Sequence, residues 1–345
     1  MDEAPKWGSV PEAGAPKQPE GLRVSHDMWV AMLCDPVMAA FVIFGVRLDA
    51  FQAARLRKYW WGLIGMDNSG VGSGKTIVIF LFVCLRCILL PDQVAAIYYP
   101  TFGTGKNEFW EYFARFALSR SAPVFQSQLG NPLKMDAGDE VAGDGTTHGP
   151  DCYKAFFRNG NRLLMPAPSF AKDAVTQASL SLNTLVIEEW WQVDAASDGI
   201  NKQLIDRARR PSWNQFHPIW GNHILFSGHA QTLMHPGAAR YKAHARQAAA
   251  GNPIYVNMSY SYKDYSRLIS EEGRSFQDKY RNEVSITTKR NSSSSAAWLG
   301  QGLGIVGMSG TGWFTEEAIL RAQANGRAAN LMPVMGRRQW EESVK

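Results

Sequence analysis

Apolar positions along this chain fall into short continuous runs separated by glycine-rich or polar turns, and run length and composition sort strands from helices. Residues 59–66, aromatic and aliphatic, predict a buried strand, and 77–90 is apolar over a helical length. Residues 93–99 predict a second strand. Residues 107–119 predict an amphipathic helix with Phe109, Trp110, Tyr112, Phe113 and Phe116 toward the core. Further on, 153–158 and 162–165 flank Asn159-Gly160-Asn161, the signal of a β-hairpin. Short apolar runs at 182–187, 223–226 and 253–259 predict three more strands. Ahead of all these, 28–48 suits a helix and leads into a second, polar-faced helix at 49–58. Strands alternating with helices imply an α/β chain with a mostly parallel sheet, and such sheets bind ligands at the carboxyl ends of their strands.

The remaining stretches predict the organisation around this body. Residues 1–28 are rich in Pro, Gly, Ala and charge and are expected to form a flexible arm without a signal peptide. Residues 129–150 read as a loop, the serine run 292–295 as a linker, and 316–328 as a helix. The expected division is an arm at 1–28, one domain at 29–290 and an extension at 291–345. A net charge of +5 over 345 residues suits a polyanionic partner without requiring one. The run 77–90 is too short to span a membrane and contains Arg86, so no membrane association is expected. Cys34, Cys84, Cys87 and Cys152 lack a second pair at zinc spacing and read as reduced core thiols.

Candidate chemistry begins between the first strand and the long apolar helix, at Ser69-Gly-Val-Gly-Ser-Gly-Lys-Thr76. A glycine-rich turn opening a helix presents backbone N–H groups and the helix dipole to an anion, which is a phosphate cradle. Ser69, Gly70, Gly72, Ser73, Gly74, Lys75 and Thr76 are its candidate ligands, with Lys75 on the terminal phosphates and the Thr76 hydroxyl on Mg2+. Ser69 stands where the usual motif opens with glycine, and Gly70 and Gly72 are expected to supply positive φ instead.

The strand 182–187 ends in Glu188-Glu189. Paired carboxylates at a strand end suit a magnesium nucleotide: Glu188 toward the hydrated metal, Glu189 as general base on the attacking water. The strand 223–226 runs into Ser227-Gly228-His229-Ala230, a polar turn that can sense the γ-phosphate, although His229 reads equally as an ordinary loop histidine. Gln52, ahead of the cradle, carries the paired donor and acceptor that recognise adenine, or else is a solvated helix residue.

Taken in order, Gln52, the 69–76 loop, Tyr98-Tyr-Pro-Thr101, the Asn159-Gly160 hairpin, Leu185-Val-Ile-Glu-Glu189 and Leu225-Phe-Ser-Gly-His-Ala230 resemble the N-terminal ATPase of the large terminase subunit of tailed bacteriophages, over roughly 29–290. The resemblance implies a P-loop NTPase of the RecA-like, additional-strand type with a β-hairpin insertion. It implies ATP and Mg2+ as cofactors, Lys75 and Glu189 as catalytic residues, and Ser227 and Gly228 at the γ-phosphate. It also implies double-stranded DNA, portal protein and the small terminase subunit as partners, a homo-oligomeric ring on the portal, and work in the host cytoplasm at the procapsid.

Two departures qualify the resemblance. The family's nuclease domain has no counterpart in the short stretch 296–345, so no nuclease activity is expected. No arginine lies between Leu163 and Asp206, where the family carries a trans-acting finger, so Arg158, Arg162, Arg207, Arg209 and Arg210 become the candidates. Lys202 with Arg207, Arg209 and Arg210, or Arg240, Lys242, His244 and Arg246, could contact DNA phosphates or form solvated helix faces. The rival readings are a helicase-like or kinase-like P-loop protein and a non-hydrolysing ATP-binding module in a DNA-associated assembly.

Overall fold

The computed structural model describes residues 22–70, 72–119, 121–130, 145–148, 152–167, 182–192, 221–230, 235, 237–261, 288, 290–294, 297–304 and 306. Most of the arm, the cluster at 202–210 and the helix expected at 316–328 lie outside them. Three helices come first: α1 (His26–Cys34), α2 (Pro36–Phe44) and α3 (Ala50–Trp61). The single helix expected at 28–48 is two, because Asp35 interrupts it and caps α2 by accepting the Val37 N–H at 3.1 Å, with Pro36 in the first turn. The strand expected at 59–66 is also shorter. Tyr59 and Trp60 continue the buried face of α3, Gly62 ends the helix, and β1 runs only over Ile64–Asp67.

Thereafter the chain alternates as expected: α4 (Lys75–Leu89), β2 (Val94–Tyr98), α5 (Phe102–Gly105), a π-helical turn (Lys106–Trp110), α6 (Glu111–Ala117) and α7 (Pro123–Gln128). Three strands follow, β3 (Thr146–His148), β4 (Cys152–Phe156) and β5 (Arg162–Pro166), then β6 (Thr184–Ile187), β7 (His223–Ser227), α8 (Ala238–Ala249) and β8 (Tyr255–Met258). β3 falls inside the stretch read as a loop; three residues are too few for an alternating pattern to register.

All eight strands form one sheet in the order β3-β4-β5-β2-β6-β7-β1-β8, parallel throughout except for the pairs β3–β4 and β4–β5, so that β4 alone runs against the rest. β7 lies between β1 and β6, the additional-strand arrangement. The hairpin of β4 and β5 is part of this sheet, since β5 pairs in parallel with β2. Its turn also caps a helix. The Asn159 and Asn161 side-chain amides donate to the Cys87 carbonyl at 2.8 and 2.7 Å, and Asn161 also reaches that of Leu90. Carbonyls at the end of α4, which no later turn can satisfy, are thereby paired.

One face of the sheet packs on α4 and, beyond it, on the aromatic residues of α1 to α3 and α6, with Phe44, Phe80, Phe109, Phe113 and Phe125 at the centre. The other face buries Met66, Leu185, Ile224, Phe226, Trp190 and Trp191 under Tyr241 of α8. Cys84, Cys87 and Cys152 are buried thiols, whereas Cys34 is exposed. Arg86, fully buried near the end of α4, donates to the Thr184 hydroxyl at 2.6 Å, the Gly221 carbonyl at 2.8 Å and the Gln93 amide at 3.3 Å, tying together the amino ends of β2, β6 and β7. Arg86→Met keeps the volume but strands those acceptors without water. It should cost about 2–3 kcal/mol, read from urea unfolding at neutral pH; an unchanged midpoint would show that the bonds contribute nothing net.

Candidate nucleotide-binding site

Strand register assembles the site. Asp67 of β1 pairs with Ser227 of β7, and Phe226 with both Met66 and Ile187, so the residues following Ile187, Asp67 and Phe226 emerge side by side at the carboxyl edge. The Glu188 N–H donates to the Tyr98 carbonyl at 2.8 Å, and Gly228 N–H to that of Asp67 at 3.0 Å, which extends the alignment past the strand ends. Lys75, Thr76, Glu188, Glu189, Ser227 and Gly228 are thus gathered at one edge, whereas Arg158 and Arg162 are at the other, because Arg162 pairs with Val94 at the start of β2.

The loop 69–74 leads into α4 through Gly74, whose φ of 76° suits a residue without a side chain. Gly72 shares that φ, as expected, but Gly70 is not left-handed. It is glycine because the backbone of a later segment crosses it: a Cβ there would sit 2.8 Å from the Gly302 carbonyl and 2.9 Å from that of Gln301. This segment, a π-helical turn at Trp298–Gly302, also passes so close to the Ala230 carbonyl that only glycine fits at 300. Its hold is completed by a bond from the Ser259 hydroxyl to the Gly304 carbonyl at 2.8 Å.

Lys75 is buried and donates to the carbonyls of Ser69 at 2.8 Å and Gly70 at 3.2 Å. Burial lowers its pKa, while Asp67 and Glu188 oppose that by favouring the charge. Gln52 lies in the site but not free in it. Its backbone and side chain close a capping box with Asp49, and its Nε2 rests where a Gly74 side chain would be.

The two carboxylates differ. Glu188 is almost fully buried, and burial first, then the neighbouring Glu189 charge, raises its pKa to about 7 against the pull of Lys75. A buried carboxyl at the carboxyl edge of the sheet and a hydroxyl, that of Thr76, in the first turn of α4 at the same edge are hard-oxygen donors of the kind Mg2+ takes, and water could complete the shell. Glu189 sits at φ 47°, a costly conformation for a side chain of its size. The strain aims its carboxylate at the β7 turn, where Oε2 lies 2.8 Å from His229 Nδ1. Burial is the largest single influence on Glu189 and raises its pKa, but the His229 bond together with the His229 and Lys75 charges outweighs it, so the pKa is lowered. The approach needs Gly228, whose Cβ would lie 3.2 Å from the Glu189 Cα. His229, left open by sequence, is therefore the residue that orients Glu189.

Several site residues escaped sequence reading. Arg55, Asp67 and Tyr59 form a polar group beneath the loop: Arg55 Nε lies 2.8 Å from Asp67 Oδ2, and the Tyr59 hydroxyl donates to the same oxygen at 2.6 Å. Asn68 Oδ1 accepts the indole N–H groups of Trp190 and Trp191, at 3.3 and 2.6 Å, joining the carboxylate strand to the loop. The buried Tyr99 hydroxyl and the exposed Glu108 lie close enough to feel the Glu189 charge. The Glu108 pKa is raised by burial and then by Glu189. A charged residue at the end of an apolar strand, as Asp67 is, was the one available signal. In the second basic cluster, His244 is buried with Nε2 3.0 Å from the Val256 carbonyl, and only Lys242 and Arg246 are exposed.

Loop, sheet order and flanking helices define a P-loop α/β fold of the additional-strand type. No protein-family model and no curated protein matches the chain. Among solved structures it is similar to the large terminase of bacteriophage HK97, at 14% identity and a TM-score of 0.50, over 76% of this chain and 51% of that one. It also resembles the large terminase of a thermophilic bacteriophage in complex with ATP-gamma-S (13%, 0.48, 74% and 52%) and the large terminase ATPase domain of Thermus phage P74-26 (10%, 0.45, 76% and 95%). The chain spans about half the length of the whole large terminases it matches. What it shares with the HK97 protein is the fold. No helix among the described residues is long and apolar enough to cross a membrane.

Proposed function

We propose that this chain hydrolyses ATP to move double-stranded DNA, as the ATPase portion of a phage genome-packaging motor. The observation that supports this most directly is the shared carboxyl edge: a phosphate cradle, a buried carboxyl poised for Mg2+, and a strained Glu189 held by His229. In this reading Lys75, Thr76 and the loop N–H groups hold the phosphates, Glu188 and Thr76 hold Mg2+, which neutralises phosphate charge, and Glu189 takes the proton of the attacking water. Ser227, the last residue of the strand that separates cradle from carboxylates, and Gly228 just beyond it sense the γ-phosphate. Gln52 borders the base. DNA, portal protein and small terminase subunit are the proposed partners, in a ring on the procapsid portal in the host cytoplasm.

Phosphate release from ATP with Mg2+, with and without linear duplex DNA, tests the reading. Turnover should be DNA-stimulated. At limiting Mg2+ it should also rise with pH across neutrality, since proton and cation compete for Glu188, whose pKa without metal is about 7; saturating Mg2+ should flatten that rise. Binding of ATP without release would favour the non-hydrolysing alternative.

A further inference from the structure

The polar group beneath the cradle takes no part in this chemistry, yet its ion pair is completely inaccessible to solvent. Buried pairs of this kind generally stabilise a fold no better than apolar residues of equal volume, so stability alone does not account for it. The remaining atoms of both partners go to the loop. Arg55 donates from Nη1 to the Ser73 carbonyl at 2.7 Å and from Nη2 to the Ser73 hydroxyl at 3.2 Å. Asp67 Oδ1 accepts the Ser69 N–H at 2.9 Å and its hydroxyl, and the Ser69 oxygen accepts the Tyr260 N–H at 2.9 Å. One ion pair therefore grips both ends of the loop.

That grip dictates where the loop's donors point. In a planar trans peptide the C=O and N–H are opposed. With the Ser73 carbonyl bound to Arg55 below, the Gly74 N–H faces away from Arg55, toward the side a phosphate would occupy. Turning that peptide over would lose both the Arg55 bond and the donor. The planar guanidinium can serve Asp67 and two Ser73 atoms together, which a lysine cannot. Ser69, in turn, does what the usual opening glycine could not, by supplying a hydroxyl that bridges Asp67 and the strand extension at Tyr260.

We propose that Arg55, through Asp67 and Ser69, is a positioning residue that sets the phosphate-facing N–H groups of the cradle before nucleotide arrives. The inference rests on reading the loop as a nucleotide site. It is tested on the full chain with Arg55→Lys and Ser69→Gly, using Lys75→Ala as the reference for lost phosphate binding. Three quantities are compared with wild type: hydrogen exchange over 69–76 without nucleotide, affinity for ATPγS with Mg2+, and thermal midpoint.

Arg55→Lys should fold, since a cation remains beside Asp67, but exchange should quicken in the loop and affinity should fall about tenfold or more. Ser69→Gly, although it restores the commoner loop sequence, should also weaken affinity, by about tenfold. Unchanged affinity in both variants, or an effect confined to the thermal midpoint, overturns the proposal. Should Arg55→Lys fail to fold, Ser69→Gly decides alone, because it leaves the ion pair in place. A wild-type chain that binds no ATPγS removes the nucleotide reading and this proposal with it. One that binds without hydrolysing leaves the positioning result standing.

Discussion

A chain carrying Glu189→Gln is expected to bind ATP much as wild type does and to release phosphate about 10³-fold more slowly, the scale on which a general base contributes. The amide keeps the size of the carboxylate and can still face His229, so the strained turn after β6 has no new reason to unfold. What it loses is the capacity to take a proton from water. Lys75→Ala should fail differently, because Lys75 is a cation buried against the loop carbonyls and its removal weakens phosphate binding itself. Equilibrium binding measured beside phosphate release separates the two. Full turnover in Glu189→Gln would remove it as the base, and equal binding losses in both variants would mean that the two side chains share one role.

Turnover per chain should rise with chain concentration or on adding portal protein, by about 10³ once neighbours are engaged, because the charge of a transferring phosphoryl group ordinarily needs an arginine beyond the lysine and the metal. Among the described residues, two cations that touch the loop are already engaged: Arg55 is held under it, and Lys75 donates to the Ser69 and Gly70 carbonyls and is the proposed phosphate ligand. Arg158 and Arg162 are exposed at the opposite end of the sheet, so they could reach a cradle only on another chain. Arg207, Arg209 and Arg210 lie outside the described residues. Mixing Lys75→Ala chains with alanine variants of each arginine should restore turnover for the true finger alone. A specific activity that stays flat over a wide concentration range, with no arginine variant affecting it, would mean each chain completes its own site.

The elements that were legible in the sequence were those whose chemistry is local. The glycine loop, the apolar run of α4, the strand ending in Glu188 and the Asn159-Gly160 turn each announce themselves within a few residues. The strand order was legible only as a class, since nothing in residues 223–227 says that they lie between β1 and β6. Hidden altogether was the polar group under the loop. Arg55 reads as one more charge on an amphipathic helix, and its partner twelve residues later is visible only once α3 and β1 are folded against each other. His229 was ambiguous for a related reason: its meaning depends on Glu189, which meets it only across neighbouring strand ends. Tyr59 and Trp60 misled in the other direction, because aromatic residues favour strands in general while here they fill the inner face of a helix.

The crossing of Gly70 by residues 301 and 302 has a practical corollary for anyone dividing this chain. A cut at the serine run, the natural place on compositional grounds, would strip away the backbone that covers Gly70 and the Ala230 carbonyl, and would leave the pocket once filled by Trp298 open to water. A shortened version meant to keep an undamaged cradle should therefore end beyond residue 306, where Val306 still packs against the sheet.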